Sequence, residues 1–549
     1  MTLTDNLNRV LDRFMMKLLK ISFFLLGICF LASCAPADNK VDISKVFRYN
    51  EHANITSLDP AFAKDQRNIW PCHQLYNTLI KLDSNLNIKP DLAKSWNISE
   101  DGLTYTFQLK QNIFFHKHDC FDNKSERLLQ AEDVVFSFER LRSKSLASPG
   151  AWVLNNVSTI KAASASVVEI KLKKRFPAFL GLLSMKFCSI VPVEVEKCNI
   201  NLRKDPIGSG AFYLKRWEEN EKMVLRRYKD YHETDDKGTP LPYLEAVSIT
   251  FLTEKKSEFM QFIQGKLDFM SGLAPSYKDE MLTENGELNP KYKESIKLEK
   301  APYLNSEYLG IYLDDSTSVL QHKKLRQALN YGFNRQKMIR FMRNGIGFPA
   351  NQGFIPKGLP GFGIHGYSYQ PEKAAHLIKA VKKENDLDHI KIRISTNPSY
   401  LDLMEFIQKE YERLGLQVEL DVMPASTIRQ KRSRGDLAVF RASWIADYPD
   451  AQNYLSLFYS ENFAPNGPNY THFNNALFDD LYIASLRKNS AKKRAPMYRK
   501  MDSIIIEEAA VIPLYYDQVV RFSQKDIKGL GINPINLLDL KTVEKKALN

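Results

Sequence analysis

The stretch from Lys391 to Val422 constrains the fold more than any other in this chain. Lys391 to Thr396 places Ile392 and Ile394 on one face, the alternation of a half-buried strand. Leu401, Met404, Ile407, Tyr411 and Leu414 then recur at three- and four-residue spacing, a helical stripe. Gly415 follows where a helix C-terminus favours glycine. Val418, Leu420 and Val422 alternate again. Strand, helix and strand in this order make a βαβ unit, whose strands should lie parallel through a right-handed crossover.

Strands and helices are mixed along the rest of the chain, which argues for an α/β protein. Thr104 to Lys110 sets Tyr105, Phe107 and Leu109 on one face. The run from Ala131 spaces Val134, Val135, Phe138 and Leu141 helically, with Glu132 and Asp133 in the first turn, where acids suit the helix dipole. Val168, Ile170 and Leu172 alternate, and Ala211–Lys215 and Met223–Tyr228 read as strands joined by the polar stretch Glu218–Lys222. With 549 residues, two or three lobes are expected. No repeat of solenoid period is visible.

The N-terminus sets the compartment. Met16-Lys17-Leu18-Leu19-Lys20 is a basic n-region, and Ile21 to Leu31 is an apolar h-region too short to span a bilayer, which needs about 20 residues. Leu31-Ala32-Ser33-Cys34 resembles a lipobox, so residues 1–33 are expected to be a signal peptide and Cys34 the lipidated residue. Residues 34–45 would form a lipid-anchored tether. An exported chain can keep disulfides. Cys72, Cys120, Cys188 and Cys198 remain after export and allow three fully paired connectivities; Cys120–Cys188 is the pairing expected. The net charge is +13, but basic and acidic residues are interleaved. The clusters Arg429–Arg434, Lys171–Arg175 and Lys492–Arg494 read as solvated surface rather than a nucleic-acid site, with at most a weak pull on anionic lipid.

Several stretches together resemble the peptide/nickel-type solute-binding proteins of ABC importers, the OppA-like group. They are "KPDLAKSWNISEDGLTYTFQLKQNIFFH" from Lys89 with "AEDVVFSFERL" from Ala131, "DPIGSGAFYLKRW" from Asp205, "LRQALNYGFNRQKMI" from Leu325, "ASWIADYPDAQNYL" from Ala442 and "EEAAVIPLYY" from Glu507. The resemblance implies a two-lobed periplasmic-binding-protein fold of the large type II form, with an inserted domain and a hinge between lobes. The hinge lobe would comprise residues 41–66, 201–302 and 516–549. The inserted domain would be 67–200, and the opposing lobe 303–515.

The resemblance also implies the site. In peptide-binding members the aspartate of a similar W-x-A-D-Y segment receives the ligand's α-ammonium, which points to Asp447. A charge-assisted bond there would be roughly twice as strong as a neutral one. The competing role for Asp447 is to cap the turn at Tyr448-Pro449-Asp450. Arg441 stands where an arginine can meet a ligand carboxylate through its bidentate fork; its competing role is an ion pair within the protein. Trp444 is a cleft wall or a core residue. Ser443 and Ile445 flank it on a segment whose backbone could pair with an extended peptide. Asn54, in Ala53-Asn54-Ile55, is the expected facing edge.

His116, His118 and Cys120 could suggest zinc or nickel, but they fall in the family's "FH" pattern and the polar loop after it, so no metal and no cofactor is expected. No GxSxG, HExxH, Walker A or GxGxxG pattern occurs, so no enzymatic reaction is expected. The expected mechanism is capture of a peptide by closure of the lobes. The chain, expected to be a monomer, would then dock on ABC permease subunits powered by separate ATPase subunits, outside the cytoplasm and held to a membrane by lipid. The same fold with a nickel chelate, haem or oligosaccharide is the nearest alternative. A ligand-presenting receptor subunit and a lipoprotein hydrolase are more distant ones.

Overall fold

The βαβ unit forms as its spacing predicts. Lys391–Thr396 pairs in parallel with Gln417–Val422, which sets Ile392 beside Val418 and Ile394 beside Leu420. The helix between them, Leu401–Glu412, buries Met404, Ile407 and Tyr411. Gly415 has φ +80°, a left-handed conformation that a residue without Cβ adopts freely. The computed structural model describes residues 42–122 and 127–546. From Ser44 on, the described chain forms one compact unit.

Among the described residues, one eleven-stranded sheet runs through that unit. One half holds Gln417–Val422, Lys391–Thr396 and Val439–Ile445. The other holds Phe269–Ser271, Val46–Asn50, Ala246–Thr250 and the hairpin Phe212–Glu218 with Lys222–Arg227. Two long antiparallel strands, Ile296–Ile311 and Val511–Gln524, join the halves. Their pairing slips twice, once between Glu307 and Tyr308 and once, more widely, between Pro302 and Ser306. Pro302 faces Gln518 and Ser306 faces Tyr516, so Tyr303, Leu304 and Asn305 bulge opposite Asp517.

A separate four-stranded antiparallel sheet carries Ala93–Ile98, Thr104–Leu109, Val167–Leu172 and Val157–Ser164, in that spatial order. Tyr105, Phe107, Leu109, Val168, Ile170 and Leu172 are all buried in one core with Val134, Phe138 and Leu141 of the helix Ala131–Arg142. Asp133 does more than complement the helix dipole. It is fully buried, accepts from the Gln130 N–H at 2.8 Å, and takes the Arg127 guanidinium fork at 2.9 and 2.8 Å. Gly208 and Gly210 serve close backbone packing: a Cβ on Gly208 would lie 1.9 Å from the Leu75 carbonyl oxygen, and one on Gly210 2.4 Å from that of Gln74.

The cysteines depart from the expected Cys120–Cys188 pairing. All four are free thiols. Cys188 is fully buried in the core of the four-stranded module, whereas Cys120 stands beside Cys198, whose Sγ lies 3.7 Å from the Cys120 carbonyl oxygen. The reason is topological. Cys188 sits at 0% exposure inside that core, while Cys120 packs against its outside beside Cys198. Cys34 lies outside the described residues. Among those residues, no helix is long and apolar enough to cross a membrane.

Candidate functional site: a cleft between the sheet halves and the four-stranded module

The strand Val439–Ile445 pairs with Ile296–Ile311 along its whole length, with Ile445 opposite Asn305. Its other edge is paired with Lys391–Thr396 only at Val439 and Phe440, so the edge beyond Phe440 has no strand beside it among the described residues. Past Ile445 the chain stays tied to the bulge: the Ala446 N–H donates to the Leu304 carbonyl at 2.9 Å, and the Tyr454 hydroxyl donates to the same oxygen at 2.6 Å. The turn that follows is held by Asp450. Its carboxylate accepts from the Gln452 N–H at 3.0 Å, from the Tyr498 hydroxyl at 2.8 Å and from the Arg494 guanidinium at 2.6 Å. The turn-capping role that competed for Asp447 is therefore filled three residues later.

This segment borders a cleft of about 400 Å³. Ile445 to Pro449 and Tyr303 form one wall. Ala63 to Gln66, with Ile69 and Trp70 of the helix Gln66–Leu75, form a second. Ser184 to Phe187 form a third, and Ile535 and Leu537 close the end. Beside the cleft, the segment after the strand Val167–Leu172 meets the first wall and its neighbours: Tyr448 packs edge-on against Phe176 at 6.1 Å, and Arg175 Nε donates to Asn489 Oδ1 at 2.8 Å.

Asp447 lines this cleft. One carboxylate oxygen accepts from Asn453 Nδ2 at 3.2 Å. Asn453 is itself fixed by the Trp444 Nε1–H at 2.8 Å and the Asp447 N–H at 3.2 Å, both donating to its Oδ1. Asp447 forms no ion pair among the described residues. The residue is exposed to solvent, yet the protein beside it removes part of its hydration. That loss of hydration pushes its carboxyl above the usual carboxylate range, against the bond from Asn453, which pulls it down. A carboxylate raised by desolvation, without a cation of its own, is suited to receive one.

The other expected residues divide. Ile445 lines the cleft and is 47% exposed. Ser443 is half-buried, directly opposite Glu307 in the ladder. Trp444 packs on the core behind the wall and positions Asn453. Arg441 is not at the cleft: its guanidinium is ion-paired with buried Glu307 and lies 3.2 Å from the centre of the Tyr400 ring. Its charge is thus spent inside the sheet. Asn54 is also displaced from the expected edge, since its Oδ1 accepts from the Asn220 N–H at 3.3 Å and steadies a hairpin turn. The facing wall is built instead by Ala63–Gln66, a stretch with no charge pattern or periodicity to mark it. Sequence reasoning missed Lys186 as well. Its one signal is that it is the lone charge in the run from Phe179 to Val191.

The histidines of the polar run are separately engaged. His116 Nε2 hydrogen-bonds the Gly210 carbonyl oxygen at 2.9 Å, and His118 meets Asp205 at 3.0 Å. Elsewhere Asp91, His232 and Glu233 bring donor atoms within 4.8 Å of one another. Lys541 at 2.9 Å and Lys81 already neutralise Glu233, and Asp91 accepts from Asn77 and Thr78.

A family model described as "Bacterial extracellular solute-binding proteins, family 5 Middle" matches residues 87–466. The dipeptide-binding protein of Escherichia coli (strain K12) is 25% identical over 491 residues, 84% of this chain and 87% of that protein. Helicobacter pylori DppA, solved in complex with the peptide STSA, superposes with a TM-score of 0.74 at 24% identity, covering 91% of this chain and 98% of that one. HbpA2 from Haemophilus parasuis superposes with a TM-score of 0.78 at 22% identity, covering 91% and 100%. At these identities the structural likenesses speak for the fold.

Proposed function

Since the chain belongs to the bacterial extracellular solute-binding proteins of family 5, we propose that its cleft captures short peptides outside the cytoplasm for an ABC importer. The fold is the two-lobed type II form, and the family is one of binding proteins rather than enzymes. The observation that carries the peptide reading is Asp447, a carboxylate on the cleft wall with no ion pair among the described residues. The unpaired edge of Val439–Ile445 adds a place for main-chain bonds, which hold an extended peptide whatever its side chains. The cleft volume of about 400 Å³ suits a short ligand, near the low end of the ~300–1,000 Å³ range of ligand pockets. No imidazole or thiolate lines the cleft among the described residues, which favours a peptide over a metal held by the protein's own side chains.

In this proposal residues 41–66, 201–302 and 516–549 form the hinge lobe, 303–515 the opposing lobe and 67–200 the insertion. The lobes rotate about the two long strands. A ligand that swung the open–closed balance from 1:99 to 99:1 would need about 5.5 kcal/mol of preference for the closed form. The closed monomer delivers its ligand to permease subunits, and Cys34 anchors it through lipid. Mass spectrometry of small molecules released from purified protein tests the ligand class: peptides are expected, and a stoichiometric sugar, haem or nickel chelate in their place would overturn it. Labelled fatty acid should attach to the native chain and not to Cys34→Ser.

A further inference from the structure

A peptide with free ends carries a carboxylate as well as an ammonium, and Arg441 is committed to Glu307. The cleft contains another cation. Lys186 lies in the turn Lys186–Cys188 of the third wall, is 7% exposed, and borders both the cleft and an adjoining cavity of about 320 Å³. Among the described residues its ammonium has no ion pair and no hydrogen bond.

The carboxylates whose field reaches Lys186 are engaged elsewhere. Asp91 accepts from Asn77 Nδ2 at 3.0 Å and the Thr78 N–H at 3.1 Å, and Asp539 sits 3.6 Å from Lys541 and 3.8 Å from His73. Lys541 also adds a repelling charge, and burial pushes the Lys186 ammonium below the usual lysine range. A lysine this buried is rarely left unpaired. Replacing it with an apolar residue would relieve that cost, so its presence at the cleft calls for an anion that arrives from outside. The other cation at the cleft, Lys64, is exposed and keeps its hydration.

We propose that Lys186 receives the carboxylate of the captured ligand, so that the cleft is bipolar, with Asp447 for the ammonium and Lys186 for the carboxylate. This rests on the peptide reading above and narrows it to short peptides with both ends free. Met185, Phe187, Trp70 and Leu537 supply apolar surface for side chains. Discrimination follows from an unpaired buried group. A ligand without the carboxylate leaves the ammonium as exposed to cost as in the empty protein, whereas a free acid neutralises it.

The test uses native mass spectrometry of ligand-stripped protein with a pool of mixed-sequence dipeptides and tripeptides, supplied with free or amidated carboxyl ends. Amidation should lower apparent affinity for the native protein by roughly 10- to 100-fold. Lys186→Met should show that loss already with free acids and be nearly indifferent to amidation, while its ligand-free Tm stays level or rises. A lysine that served only to hold the fold would lower the Tm and leave the amidation penalty intact. Equal affinity of the native protein for acids and amides, or transfer of the effect to Lys64→Met, overturns the assignment and leaves the peptide reading standing. Retention of neither form overturns the peptide reading and this assignment with it.

Discussion

Asp447→Asn isolates one charge with almost no change of shape. The Asn453 amide and the Trp444 indole that order this corner remain, so the substitution acts on the ligand's ammonium. A hydrogen bond to a charged group contributes about 1.5–3 kcal/mol, and stranding the ammonium adds to the loss. At about 1.4 kcal/mol per decade, peptide affinity should fall roughly 10- to 100-fold. Calorimetric titration of both proteins with one co-purified peptide, free and N-acetylated, closes the cycle. Acetylation should cost the native protein about as much as the substitution does, and cost the variant little more. The pH dependence gives a second readout. The carboxyl of Asp447 is raised in the folded, empty protein, so affinity for an ammonium should be complete above that raised value and fall away as pH drops through it. The Asp447→Asn variant should lack this step. The raised value also means that the ionised group opposes folding at neutral pH, an opposition relieved as pH falls through the folded value. The variant should therefore be no less stable when empty. Equal acetylation penalties in both proteins would refute the contact and place the ammonium elsewhere.

Arg441→Met should strand buried Glu307 and lower stability by about 3–5 kcal/mol, seen in denaturant melts, while leaving any discrimination between peptide acids and amides unchanged. Alkylation of the native protein should label exposed Cys198 first and spare Cys72 and Cys188, whose thiols burial pushes far above the usual range; peptide mapping that finds Cys188 labelled early would contradict the packing. Gly208→Ala should cost about 1–3 kcal/mol of stability, measured by urea midpoint, because its Cβ would meet the Leu75 carbonyl oxygen.

The elements whose signal is periodic were legible. Ile392, Ile394 and Val418 on two strands, with Met404 and Ile407 between them, report their own burial because local spacing and local burial share one cause, while Leu420 is half-buried and Val422 at the strand end is exposed. The position of Asp447 on the cleft wall was legible through its neighbours in the W-x-A-D-Y segment. Arg441 was not, since its role is fixed by Glu307, 134 residues away, and no local pattern records a partner across a sheet. Glu307 did leave a trace: it is the lone charge in the strand end from Tyr303 to Leu313. Lys186 is the same kind of mark, a single charge in a mainly apolar stretch. Asn54 and the wall at Ala63–Gln66 show the opposite limit. Both flank the same SLDP turn, and only the three-dimensional path decides which side faces the cleft. Cys120 found Cys198 rather than Cys188 because thiol proximity follows core packing rather than order along the chain.

The bulge at Tyr303, Leu304 and Asn305 makes reach and aperture a single variable. The two long strands join the sheet halves at that point, and their ladder pairing is interrupted opposite Asp517. Yet the Leu304 carbonyl there grips the Ala446 N–H and the Tyr454 hydroxyl, and so carries the corner on which Asp447 stands. Tyr303 of the same bulge faces the cleft. In the closure proposed above, a turn of this joint would move Asp447 along an arc as the lobes swing, like a caliper whose measuring tip is mounted on its pivot. Under that reading ligand length and lobe angle are coupled, and a change at residues 303–305 that resets one should reset the other.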